Sequence, residues 1–171
     1  MAIPEKRITV RDVKIEFEDA TAVTPISGEV VYEGEGSLSI SGLQQGDAEL
    51  LIFYDRDMIS DVRLGQQQPV DISFNYEATT LLEGTEKIPL DAVRKTGAFL
   101  AGVSTWGVNA ADPWLIKLKF TIEGTDRGGA DQVVTIPYFR GKANISEGKP
   151  MTIEISGQAL PKGATAAVTI A

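Results

Sequence analysis

The chain has 171 residues, which suits one domain and leaves little room for two. It contains no cysteine and no histidine, so disulfides, thiolate or imidazole metal ligands and histidine-dependent nucleophiles are excluded. The formal net charge of −8 repels nucleic-acid phosphates, so a conventional nucleic-acid-binding domain is not expected.

The amino-terminal residues show no basic stretch followed by an apolar core, and no run of about 18 apolar residues occurs. We therefore expect no secretory signal, no membrane span, and a protein that is made and folded in a cytoplasm.

Alternation of apolar and polar residues predicts a mainly β, antiparallel chain. The predicted strands lie at residues 8–10, 13–17, 30–32, 37–41, 49–55, 70–76, 116–122, 134–138, 153–155 and 168–170. A slip of the alternation between Val10 and Val13 predicts a bulge near Asp12. The run at 49–55 is continuously apolar between its terminal acids, which indicates a strand covered on both faces.

One helix is predicted among these strands, over residues 89–101. Pro89 suits its first position and Gly102 suits the position after its end. The residues predicted to form its apolar stripe are Leu90, Val93, Gly97 and Leu100. This helix either closes an open side of the sheet or contacts another subunit.

Any catalysis would depend on carboxylate, Lys, Tyr or Ser side chains, and the acidic residues offer two arrangements. Glu16 with Glu18, and Glu33 with Glu35, have the spacing that puts two carboxylates on one face of a strand, as a glycosidase pair requires. Acidic residues on strands also prevent edge-to-edge pairing, and we favour that interpretation.

The second arrangement is a charged cluster after residue 54. Its acidic residues could in principle bind calcium, but the glycine and glutamate of an EF-hand are missing from their places. A solvated turn with local ion pairs is the better interpretation.

Trp106 and Trp114 flank a segment containing Gly, Asn, Asp and Pro. Exposed tryptophans can stack on sugar rings, but such a pair is more often part of a core or an interface. We predict the latter role.

The order of glycine-punctuated strands, a charged hairpin, an alternating strand, one helix and paired final strands resembles the tail tube (major tail) proteins of tailed bacteriophages. The stretches that carry the resemblance are 37–43, 51–56, 65–70, 72–74 and 90–98. Together they span most of residues 30–160.

This resemblance implies a single tail tube-like domain over residues 1–171: an antiparallel β-sandwich or barrel with one flanking α-helix. Proteins of this family are structural, with no enzymatic activity and no cofactor. They form hexameric rings that stack into a hollow conduit for genome DNA.

The implied location is the tail of the virion, assembled in the host bacterial cytoplasm. The implied partners are other copies of the chain and tail proteins such as the tape measure and the terminator. Double-stranded DNA would pass through without specific binding, and no membrane is involved.

The resemblance also implies where the assembly contacts lie, because the segment 55–68 falls where a long loop reaches toward the neighbouring ring. An ordinary exposed hairpin is the alternative. The terminal arms 1–6 and 161–171 are second candidates for ordering on assembly. The inter-ring candidates are Asp55, Arg56, Asp57, Asp61, Arg63, Gln66, Gln67 and Gln68.

At −8 per chain, a ring of six copies would carry −48. If a fair part of this charge lined the lumen, the wall would repel DNA and let it slide. The candidate lumen-facing acids are Glu33, Glu35, Asp71 and Glu77.

Three alternatives stay open. The chain could be a carbohydrate-binding β-sandwich module that uses Trp106 or Trp114 as a platform. It could be a carboxylate-based hydrolase. It could also form a tube like the Hcp rings of type VI secretion, whose fold is related to that of tail tubes.

Overall fold

The computed structural model describes residues 12–33, 37–78, 87–107, 109, 111–123, 130–148 and 151–171. Several predictions fall outside these residues, namely the strand at 8–10 with its bulge, the amino-terminal arm 1–6, and Glu35. The side chains of residues 31–33 are also outside the description.

The described parts of the chain contain ten strands and one α-helix. In chain order these are β1 (Asp12–Glu18), β2 (Ser27–Glu33), β3 (Leu38–Ser41), β4 (Ala48–Asp55), β5 (Met58–Gln67), β6 (Val70–Ala78), α1 (Pro89–Arg94), β7 (Ile116–Ile122), β8 (Gln132–Ser146), β9 (Met151–Ala159) and β10 (Thr169–Ile170).

Eight strands form one antiparallel sheet in the order β2-β1-β7-β8-β9-β6-β3, with β10 paired to β8. The first half of β8 pairs with β7 and its second half pairs with β9. Phe74 on β6 and Phe120 on β7 are three strands apart in this order, which would separate them by about 14 Å in a flat sheet. Their ring centroids are only 5.1 Å apart. The sheet therefore folds over at β8 into two layers, and the predicted antiparallel sandwich is confirmed.

A pair of glycines allows β8 and β9 to approach closely where the sheet folds. Gly141 and Gly157 lie directly opposite each other. A Cβ atom at Gly157 would lie 2.1 Å from the carbonyl oxygen of Arg140, and one at Gly141 would lie 2.5 Å from the ring of Phe139. No side chain larger than hydrogen fits between these backbones.

The core fills the space between the two layers, and alternate residues of β1, β6, β7 and β9 supply most of it, as predicted. In β8 the alternation of buried residues ends after Ile136, where the register with β7 shifts between Ile116 and Leu118. After this shift Phe139 is buried and Tyr138 is only half-buried. The strand residues of the core are Val13, Ile15, Phe17, Val70, Ile72, Phe74, Tyr76, Ile116, Leu118, Phe120, Val134, Ile136, Phe139, Ile153, Ile155 and Ala159.

The helix is shorter than predicted. It begins at Pro89, as expected, but ends at Arg94, because Lys95 adopts a left-handed conformation with φ 55°. A separate 3-10 turn follows over Gly97–Ala101. The predicted continuous helix over residues 89–101 is therefore wrong.

The break also changes which residues are buried around the helix. Leu90, Ala92 and Phe99 enter the core, whereas Leu100 is 72% exposed, so the predicted stripe is only partly right. The Leu90 amide donates to the Tyr76 hydroxyl at 3.2 Å, which fixes the start of the helix against β6. The helix thus closes one side of the core.

Candidate functional site

Two strands project from the sandwich as a separate hairpin, which we call the arm (residues 48–67). β4 and β5 form their own two-stranded sheet. Arg56 and Asp57 join them with φ values of 48° and 64°, which is typical of a tight two-residue hairpin turn. For the segment 55–68 the resemblance implied a long loop, with an exposed hairpin as the alternative, and most of the segment is β5 of an exposed hairpin.

One face of the arm is apolar between the Ala48–Gln67 pair at its root and the turn at its tip. Directly opposite residues share a face of a hairpin, and three such pairs lie on this side. Their side chains are between 40% and 65% exposed. We call this surface the apolar face, and its members are Leu50, Ile52, Tyr54, Ile59, Val62 and Leu64.

The opposite face of the arm mixes apolar and charged groups. Leu51 and Phe53 lie opposite Arg63 and Asp61. The Arg63 guanidinium carbon is 5.6 Å from the centroid of the Phe53 ring, and its Nε lies 2.5 Å from the Asp61 carboxylate. The charged side chains therefore partly cover the apolar ones on this side only.

The run at 49–55 is a strand, as predicted, but the expectation that it is covered on both faces is wrong for the isolated chain. Its apolar side chains, Leu50 to Tyr54, are 38% to 65% exposed. A continuous apolar run is typical of buried strands, but in the described residues these side chains stay substantially exposed.

The eight predicted contact residues lie at three levels of the arm. Asp55, Arg56 and Asp57 form its tip, and the Asp61–Arg63 ion pair lies midway along β5. Gln66, Gln67 and Gln68 lie at the root, where β5 returns to the sandwich. The structure therefore places these residues along one hairpin.

The predicted lumen-facing acids are divided between strands. Asp71 and Glu77 are exposed on β6, and Gln158 donates from its side-chain nitrogen to Asp71 at 3.2 Å. Glu33 belongs to β2, which lies five positions from β6 in the sheet order, and its side chain is not described. Only Asp71 and Glu77 are brought onto one strand.

The outer face around Asp71 is polar across four strands, a feature that sequence reasoning missed. One row of paired residues runs through Ser39, Ser73, Ser156 and Lys142. The next row runs through Ser41, Asp71, Gln158 and Arg140. Alternation signalled the individual polar positions, but only the register between distant strands aligns them.

Glu16 and Glu18 lie on the outer face of the other layer, each beside a lysine. The Glu16 carboxylate is 2.7 Å from Lys119 Nζ, whose hydrogen bond lowers the pKa of Glu16 below its usual value. Glu18 forms an ion pair with Lys117. A general acid needs a raised pKa, so the Glu16 shift is opposite to that of a glycosidase acid.

Both tryptophans are half-buried against their own chain. The Trp114 indole nitrogen donates to the Ala92 carbonyl at 2.7 Å, and Lys95 Nζ lies 5.0 Å from a Trp114 ring centroid. Trp106 packs edge-on against Tyr138, with ring centroids 5.7 Å apart. These contacts engage both indoles within the fold.

Within the described ranges, no group of three or more carboxylates is arranged to hold a metal ion. The same residues include no helix with the length and apolar character needed to cross a membrane. Compared with protein-family models, with curated proteins and with solved structures, the chain matches none of them.

Proposed function

We propose that this chain is a structural tail tube protein of a tailed bacteriophage, whose copies form hexameric rings that stack into a hollow conduit for genome DNA. Its partners in this role are other copies of itself and the proteins that measure and terminate the tube. The order of elements that resembles this family supports the proposal, and so do the sandwich and its single flanking helix.

The arm is the observation that carries the proposal. An isolated two-stranded hairpin is at best marginally stable in water, and soluble monomers rarely expose large contiguous apolar patches. The arm is such a two-stranded hairpin, because neither β4 nor β5 has a second partner strand among the described residues. It also exposes an apolar patch, because its six-residue apolar face is open. Such a hairpin is stabilised when another surface covers it.

Other copies of the chain can supply that surface. When one patch contacts a different patch on the next copy, the contact closes into a ring or continues as a helical filament, depending on the rotation between copies. A tube of stacked rings combines the two: contacts within each ring close, and contacts between rings continue along the tube. β2 and β3 end the sheet order in the described chain, and such edges are open to pairing with another chain.

The charge of the chain suits a passive conduit. A net charge of −8 opposes DNA adsorption, whereas a basic wall would hold DNA through counterion release. Asp71 and Glu77 are exposed acids on the polar outer face of β6, which Arg140 and Lys142 of β8 share, and this face is the candidate for the lumen.

Electron microscopy of matched variants tests the proposal. Leu64→Asp places a charge on the apolar face, whereas Val23→Asp places the same charge on a side chain that is 94% exposed in the loop after β1. Burying a leucine contributes roughly 2 kcal/mol, so Leu64→Asp should raise the concentration needed for assembly by at least about tenfold. Val23→Asp should assemble like the parent.

The parent chain at high concentration should show rings or tubes in negative stain. At the lowest concentration where the parent assembles, Leu64→Asp should stay monomeric in sedimentation, and its melting temperature as a monomer should be unchanged. A parent that remains monomeric at every concentration, or a Leu64→Asp variant that assembles normally, overturns the proposal. A carbohydrate-binding module would instead stay monomeric and change its tryptophan fluorescence with sugars.

A further inference from the structure

The arm joins the sandwich through two adjacent chain connections, and both meet at Asp47. The Asp47 carbonyl oxygen accepts a hydrogen bond from the Gln68 amide at 2.7 Å, which ties the departing strand to the returning one. Beside this contact, Ala48 pairs with Gln67 as the first rung of the arm. Asp47 therefore lies where the direction of the arm is set.

The Asp47 side chain extends this connection to the carboxyl-terminal segment. Its Oδ2 accepts a hydrogen bond from the Ala167 amide at 2.7 Å, and Ala167 is 0% exposed. Gln67 donates from its side-chain nitrogen to the Gly163 carbonyl at 2.9 Å. Both connections of the arm are thus bonded to residues 160–171. We call Asp47, Gln67, Gly163 and Ala167 the root clamp.

The carboxyl-terminal segment is itself anchored on the sandwich at both ends. Ala171 exchanges two backbone hydrogen bonds with Val133, at 2.8 and 2.9 Å, and extends the pairing of β10 with β8. At the other end, Lys162 Nζ lies 5.0 Å from the Trp106 ring centroid and 5.3 Å from that of Tyr138. The root clamp therefore connects the arm to a fixed part of the fold.

The chemistry of residue 47 fits a specific role. Its φ of 50° lies in the left-handed region, which Gly, Asn and Asp tolerate best. A turn of this kind requires only the backbone conformation, and glycine would satisfy it. Asp47 is buried, and a buried carboxylate costs free energy unless it is hydrogen-bonded. The turn does not require this side chain, so we relate its presence to the hydrogen bond with Ala167.

We propose that Asp47 is the positioning residue of the arm: through the root clamp it holds the arm at one angle to the sandwich, so that the apolar face is pre-organised for docking on another copy. The docking step rests on the proposed function, whereas the clamp itself is a property of the single chain. A pre-ordered arm loses less conformational freedom when it docks than a mobile one.

Three substitutions separate the backbone requirement from the side-chain contact. Asp47→Asn keeps the acceptor oxygen and the tolerance for positive φ, whereas Asp47→Gly keeps only the backbone freedom. In the dilute monomer, the Ala167 amide of Asp47→Gly should exchange with solvent about tenfold faster, because its hydrogen bond to the Asp47 carboxylate is lost. Gln67→Ala removes the hydrogen bond to Gly163 and should also speed exchange at Ala167. This variant tests the root clamp if Asp47→Gly does not fold.

Exchange in the core strand β7 should be unchanged in all three variants, and Asp47→Asn should match the parent. Light scattering should show that Asp47→Gly assembles at least about threefold more slowly, with the rate restored in Asp47→Asn. Unchanged exchange at Ala167 in both Asp47→Gly and Gln67→Ala overturns the clamp.

Faster exchange with a normal assembly rate overturns the positioning role and leaves the proposed function standing. A parent chain that never assembles overturns the proposed function and the docking step together, while the exchange measurement still decides whether the clamp exists.

Discussion

Glu16 shows how the environment of a single residue changes the meaning of a sequence pattern. Its carboxylate lies 3.5 Å from Lys14 Nζ and 2.7 Å from Lys119 Nζ. The hydrogen bond with Lys119 is the main reason that the pKa of Glu16 is lowered. Glu16 and Glu18 share a face, as the spacing predicted, but the lysines of β7 make them members of ion pairs.

The lowered pKa has a consequence for stability at acid pH. Because the folded-state pKa lies below the usual value of 4.5, the stabilisation is present above pH 4.5 and is lost as the pH falls further. We expect Glu16→Gln to remove up to about 1 kcal/mol of unfolding free energy at pH 7, since the side chain is partly exposed.

The corresponding difference between parent and Glu16→Gln should shrink as the pH falls below 4.5, measured by urea unfolding at a series of acidic pH values. Glu154→Gln makes the same change in net charge on the other layer and serves as the control. A constant difference at all pH values would contradict the ion-pair explanation.

At the scale of elements, β8 decides the architecture, because its two halves pair with strands of different layers. The sequence predicted only residues 134–138 of this 15-residue strand. Its second half contains Arg140, Gly141 and Lys142, whose small and charged side chains obscure the alternation. Strand length here depends on pairing with β9, which is a long-range contact.

The glycine pair at the fold of the sheet should be sensitive to a single methyl group. In Gly157→Ala the added Cβ would lie 2.1 Å from a backbone oxygen, so the strands must move apart. We expect a loss of about 2–3 kcal/mol of unfolding free energy, the upper part of the range typical of overpacked cores.

Chemical denaturation of Gly157→Ala would measure this loss, with Ser39→Ala on the outer face as a control that stays within about 0.5 kcal/mol of the parent. An unchanged denaturation midpoint for Gly157→Ala would mean that the backbones of β8 and β9 lie farther apart than the structure indicates.

At the scale of the whole molecule, the sandwich and the arm have different sources of stability. The buried core draws its side chains from the sandwich and the helix, and the strand pairs of the arm beyond Ala48 contribute none of them. The sandwich is therefore expected to fold without the arm.

Removing the arm tests this division. Residues 49–66 can be replaced by an Asn-Gly turn, because Ala48 and Gln67 lie directly opposite each other. The shortened chain should unfold cooperatively within a few degrees of the parent, because its core is intact, and should remain monomeric where the parent assembles.

Calorimetry and sedimentation velocity would report both properties of the shortened chain. Loss of cooperative unfolding would show that the arm supports the core. Assembly without the arm would instead contradict its role as the contact surface.

Several features followed from the sequence alone, because they depend on local patterns. The alternation of Val70, Ile72 and Phe74 identified β6 and its buried face, and Pro89 marked the start of the helix. A period of two specifies which side chains share a face, and a proline at the first helical position specifies a boundary. Neither requires knowledge of distant residues.

Other features were decided only by the tertiary structure. The bond between Asp47 and Ala167 joins positions 120 residues apart, and the exposure of Leu50 and Leu64 depends on how far the arm projects from the sandwich. The apolar run at 49–55 was correctly interpreted as a strand, but whether it is covered depends on what packs around it. Local patterns specify strands and their faces, whereas the partners of those faces are set by packing between distant parts of the chain.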